Sequence, residues 1–64
     1  MKGWIEVTNL KSGKPELVNV GHIRSVSAAM QPGNAYGYLT VGDTSILTRE
    51  TYSQLKELIE EALK

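Results

Sequence analysis

A chain of 64 residues with no cysteine, and with seven basic side chains balancing seven acidic ones, excludes disulfide staples and thiolate metal sites. It also lacks the basic excess that phosphate binding to nucleic acid normally shows. A chain this short buries only about 60% of the surface its unfolded form exposes. With one histidine and no cysteine, association with a second chain is the expected source of extra stability, and no cofactor is expected.

Residues 3–9 (GWIEVTN) alternate, with Ile5 and Val7 on one face and Trp4, Glu6 and Thr8 on the other, which predicts a half-buried strand. Lys11-Ser12-Gly13-Lys14-Pro15 reads as a turn. Residues 16–20 return as a second strand, Gly21-His22 break it, and residues 23–30 form a third, with Val26, Ala28 and Met30 on one face. Gln31-Pro32-Gly33-Asn34 is a type II turn by composition, the glycine taking the positive φ. Residues 35–41 form a fourth strand whose parity sets Tyr36, Tyr38 and Thr40 against Gly37, Leu39 and Val41. Gly42-Asp43 reads as a two-residue hairpin loop of type I′ or II′, and residues 44–48 form a fifth strand. Either Ile46 or Leu47 faces inward.

From there the period changes to 3.6. Tyr52, Leu55, Leu58, Ile59, Ala62 and Leu63 share one side of a helix over residues 49–63, with Thr48 as the expected N-cap and Glu50 in the first turn. Short connections favour neighbouring strands. The predicted fold is therefore α+β: a five-stranded antiparallel β-meander, open or curled into a partial barrel, closed by one C-terminal amphipathic helix in a single domain. The expected core is Ile5, Val7, Val18, Val20, Ile23, Val26, Leu39, Val41, Ile46, Leu55, Leu58 and Ile59. No apolar run approaches the roughly 20 residues of a membrane span, and a cytoplasmic protein is the expectation.

Thr8-Asn9-Leu10, Gly13-Lys14, Leu17-Val18-Asn19, Ile23 and Thr48-Arg49-Glu50-Thr51, leading into an amphipathic helix, resemble the small flagellar FlbD-type proteins. They also resemble related short bacterial and phage proteins. The layout is similar as well to the second half of a pleckstrin-homology-like barrel. These resemblances imply a binding or scaffolding role without catalysis. The stretch Ala28 to Gly37 is longer than the brief polar turn of the FlbD-type pattern.

Candidate chemistry is sparse. His22 is the one side chain that titrates near neutrality by nature, and no signature places a nucleophile or carboxylate beside it. Ser12-Gly13-Lys14 lacks the spacing and following helix of a phosphate loop. Glu50, Glu57, Glu60 and Glu61 read as a solvated helix face, so no metal site and no enzyme is expected. Trp4, Tyr36 and Tyr38 call for explanation, because parity turns them away from the side the helix covers. Either a curled sheet encloses them or they form an interaction surface, since aromatics bury large areas at low entropy cost. A second copy of the chain or another protein is the expected partner. The alternative is a weak nucleic-acid or phospholigand binder that adds Lys11 and Lys14 to the tyrosines.

Overall fold

The computed structural model describes residues 2–31 and 33–64. Period-two patterning builds its first element pair: β1 (Trp4–Thr8) and β2 (Pro15–Asn19) run antiparallel with Ile5 opposite Val18. Ile5, Val7 and Val18 are buried while Trp4 and Glu6 point outward. Asn9 shapes the turn between them. Its side-chain Oδ1 accepts from the Lys11 and Ser12 amides at 2.9 and 3.3 Å, an arrangement that mimics a backbone turn. Gly13 follows at φ 72°.

β2 ends where the Asn19 side chain accepts from the Gly21 amide at 2.8 Å and a 3-10 turn, Val20–His22, begins. From that turn come β3 (Ile23–Gln31), β4 (Asn34–Val41) and β5 (Thr44–Thr48), a three-stranded antiparallel sheet in the order β3-β4-β5. Gly33 has φ 81°, the value the turn reading asks of it; Pro32 lies outside the described residues. Gly42 has φ 55° and Asp43 has no positive φ, the φ pattern of a type II′ turn.

The predicted single five-stranded meander is thus corrected. The strands form two sheets, β1-β2 and β3-β4-β5, and neither closes or curls into a partial barrel. The physical reason is the Asn19-capped helical turn, which redirects the chain so that β2 and β3 never pair. The sheets meet instead at one corner. There Asn9 bridges Thr48, the Leu10 amide donates to the Leu47 carbonyl at 2.8 Å, and the Arg49 amide to that of Thr8 at 3.0 Å.

The helix α1 (Tyr52–Ala62) starts later than predicted. Thr51, not Thr48, is its N-cap, in a capping box with Gln54 whose two bonds measure 2.9 and 3.2 Å. Thr48 still belongs to β5, fully buried opposite Gly37, and its hydroxyl donates to the Glu50 carbonyl at 2.9 Å. Glu50 is likewise not in the first helical turn; its carboxylate accepts from the Thr8 amide at 2.8 Å and the Thr8 hydroxyl at 3.0 Å, tying β1 to the loop before α1.

Leu55 and Ala62 of α1 are buried against Ile5, Val7, Val18 and Leu39, with the other expected core residues packed around them. Ile46 joins this cluster, so the inward residue of β5 is Ile46. α1 and its entry loop press close on the sheet at Gly37. A Cβ there would overlap the Leu55 side chain and the Glu50 carbonyl, and would lie 2.8 Å from the Thr48 hydroxyl. Among the described residues, no helix is long and apolar enough to cross a membrane.

Candidate interaction face

Residues directly opposite in an antiparallel sheet point to the same side. In the three-stranded sheet Ser27 lies opposite Tyr38, which lies opposite Leu47, and Ala29 lies opposite Tyr36. These residues therefore occupy the outer face, away from Gly37 and Leu39, which meet α1. Tyr38 is 39% exposed, and Tyr36 and Leu47 are half-buried. The two tyrosines, two positions apart on β4, stand about 6.6 Å from each other along the strand.

Lys11 comes to this face from the β1-β2 turn. With Asn9, Ser45, Ile46 and Leu47 it lines a cleft of about 320 Å³ that has Tyr38 on its wall. Lys14 lies in the same turn, where its amide donates to the Ser12 hydroxyl at 3.2 Å, but it does not line the cleft.

Trp4 is elsewhere. The one-sheet reading put it beside the tyrosines; with two sheets it stands on the outer face of β1, opposite Asn19 and near Leu17. Trp4 is 40% and Leu17 55% exposed. Both line a second cleft, of about 440 Å³, between β2 and the β4-β5 end, with His22 and Glu16 at its rim. His22 is exposed, and its carbonyl accepts from the Gly42 amide at 3.1 Å. Nothing in this cleft positions His22 against a nucleophile.

No family model, curated protein or solved structure matches this chain. Its own side-chain chemistry is the guide to what it does. Glu50, Glu57 and Glu61 line an acidic groove with Glu6, but both Glu50 oxygens are bonded to Thr8, and Glu61 forms an exposed pair with Lys64 at 3.1 Å. Among the described residues, no group of three or more His, Cys, Asp or Glu side chains could hold a metal ion.

Sequence reasoning left Leu47 undecided and joined Lys11 to the tyrosines only as an alternative, without a contact to place it beside Tyr38. The first was recoverable. The two-residue loop Gly42-Asp43 sets Val41 opposite Thr44, which places Ile46 opposite Leu39 and Leu47 opposite Tyr38. The second was not, because it depends on the corner between Asn9 and Thr48, a contact without a local signal.

Proposed function

We propose that this chain is a non-enzymatic interaction module that associates with further copies of itself through the outer face of β3-β4-β5, with Tyr36 and Tyr38 as anchors. The observation that carries the reading is the one-sided cover of this sheet. α1 packs on the face of Gly37 and Leu39, while Tyr38 stays exposed on the other beside Tyr36 and Leu47. Tyrosine is one of the residue types enriched among those that carry most of the binding energy in interfaces. Composition points the same way, since binding a second copy stabilises a small fold by mass action. The binding or scaffolding role implied by the FlbD-type resemblance agrees with it. The exposed Trp4-Leu17 pair on the other sheet is a separate patch, open to a different partner protein.

Solution mass by light scattering after size exclusion tests the reading. The wild-type chain is expected to form a discrete oligomer, and Tyr36→Ala with Tyr38→Ala to weaken it while far-UV circular dichroism stays native. A wild-type monomer at all concentrations, or a double variant that associates as well as the wild type, would overturn it.

One observation favours a second reading, a weak binder of nucleic acid or a phospholigand. Lys11 stands beside Tyr38, pairing a cation with a stacking surface. Zero net charge weighs against it. Fluorescence anisotropy with a single-stranded RNA oligonucleotide at two salt concentrations separates the two. Binding that falls steeply with salt and is lost in Lys11→Ala supports this alternative, whereas no binding in low salt removes it.

A further inference from the structure

The outer edge of β3 has a defined set of backbone groups to offer. At the corner between the sheets the Leu47 carbonyl and the Arg49 amide are used by Leu10 and Thr8 of the first sheet. The backbone of Thr48 therefore faces β4, because successive residues of a strand point their hydrogen-bonding groups to opposite sides. Alternation carries this across the sheet. Thr48 and Ile46 meet Gly37 and Leu39, so Tyr36 and Tyr38 face β3, where they meet Ala29 and Ser27. The amides and carbonyls of Val26, Ala28 and Met30 consequently point outward, and among the described residues no strand lies along that edge.

Edges of this kind are normally blunted by lysine, proline, a bulge or a very short strand. β3 runs for nine residues, and its one irregularity is the register shift between Ile23 and Ser25 that sets Arg24 aside. From Ser25 to Gln31 the strand contains no charged residue and no proline, and Met30 is 75% exposed.

We infer that this edge pairs antiparallel with the same edge of a second copy, joining two three-stranded sheets into one continuous sheet about a two-fold axis at Ala28. The inference rests on the self-association reading and names the geometry of that association. A two-fold axis normal to the sheet keeps corresponding faces on the same side, so residues of one parity must lie opposite residues of the same parity. The outward groups belong to Val26, Ala28 and Met30, and the regular ladder from Ser25 to Gln31 has Ala28 at its midpoint. Both conditions select the register that sets Ala28 opposite the partner's Ala28, and Val26 opposite the partner's Met30.

The sequence is self-complementary in this register. On the inner face Val26, Ala28 and Met30 make an apolar row continuous with the core, and the exposed Met30 gains an apolar neighbour. On the outer face Ser27 of one copy lies opposite the partner's Ala29. These small side chains form a trough between Tyr38 of one copy and the partner's Tyr36, three strand spacings or about 14 Å away. The two tyrosines flank that trough, so pairing extends the aromatic face across both copies. With the two Arg24 side chains at opposite ends, no like charges meet. A charged partner strand would find no opposite charge on this edge between Ser25 and Gln31.

A charge-swap experiment at the axis tests the register. Ala28 is exposed in the single chain, so Ala28→Lys and Ala28→Glu leave the protomer fold in place. Each variant alone sets like charges directly opposite and is expected to associate about tenfold more weakly than the wild type. An equimolar mixture of the two is expected to recover association, which a purely structural effect would not produce. Amide hydrogen exchange on the wild-type chain provides a check independent of any variant. Val26, Ala28 and Met30 are expected to exchange fast in dilute solution and to become protected with concentration, whereas Ser27 and Ala29, bonded to β4, are protected throughout. If the wild type associates but the Ala28 variants associate equally well, or the three edge amides stay unprotected, edge pairing is overturned and the aromatic-face reading stands. If the Ala28 variants behave as expected while Tyr36→Ala with Tyr38→Ala changes nothing, edge pairing stands and the anchoring role of the tyrosines falls. A wild-type monomer at every concentration removes both.

Discussion

The base and the tip of the β3-β4 hairpin are made of the same two strands with the same alternation, yet they have opposite fates. At the base, Gly37 and Leu39 are buried beneath α1, and Val26 and Val41 pack against them. At the tip, Ala28, Met30 and Ala35 continue that inner face, and all three are exposed. The difference lies in what covers them. β5 reaches only as far as Gly37, where Thr48 ends it, and α1 is anchored by its cap at Thr51 close to the same level. Strand parity thus tells which side of a strand a residue faces, while burial is decided by the length of the neighbouring elements.

The base should break hardest. Leu39→Ala removes a fully buried side chain at the centre of the core and is expected to destabilise the protomer by about 2–5 kcal/mol. In a fold of this size that leaves little net stability. Urea unfolding at a concentration where the chain is monomeric reads it; a midpoint close to that of the wild type would mean the base is not the core of the fold. Gly37→Ala is expected to follow, at about 1–3 kcal/mol, because the added Cβ meets the backbone carbonyl of Glu50, the Thr48 hydroxyl bonded to it and a Leu55 methyl that the packed helix holds in place. The same unfolding experiment checks it, and a neutral result would show that α1 can lift away from β4.

Thr51→Ala sharpens the comparison from the helix side. It removes the oxygen that accepts from the Gln54 amide and is expected to destabilise by about 1 kcal/mol. Thr48→Ser, which keeps the hydroxyl bonded to the Glu50 carbonyl, should leave the helix start unchanged. If Thr51→Ala left the first turn as protected in hydrogen exchange as in the wild type, the cap assignment would be wrong.

How much of this was readable from the sequence follows from which signals are local. The alternation of Ile5 and Val7, the parity of Leu39 against Tyr38, the glycine turns at Gly33 and Gly42 and the 3.6-residue stripe from Tyr52 to Ala62 are short-range patterns, and they place every strand and the helix. The division into two sheets was not readable. It depends on Asn19 closing a helical turn over Gly21 where a plain break and a hairpin look alike in composition. The helix start was misread although a signal for it was present. Thr48 and Thr51 are equally good caps by residue type, but only Thr51 has Gln54 at capping-box spacing, and the pairing of Thr48 with Gly37 keeps the first in the strand. For the candidate face, parity was sufficient to single out Tyr36 and Tyr38. Trp4 was grouped with them only on the assumption of one sheet. The free edge of β3 is a statement about which strands fail to pair, and no residue in the strand itself announces it.

The smallest expected effect on stability is at the tip, and it is the most informative there. Met30→Ser changes a side chain that is 75% exposed, so in the monomer it should alter stability by less than about 0.5 kcal/mol. Association is another matter, because the same side chain would lie opposite the partner's Val26 in the paired edge. Serine in place of methionine removes most of that apolar contact at two symmetry-related positions, and a loss of about fivefold to tenfold in dimer affinity is expected. Analytical ultracentrifugation across a dilution series reads the affinity, and urea unfolding at the lowest concentration reads the protomer. A variant unchanged in both would mean the exposed tip is an overhang with no partner. A variant destabilised as a monomer would mean that Met30 folds back onto the helix end, which would erase the contrast between base and tip.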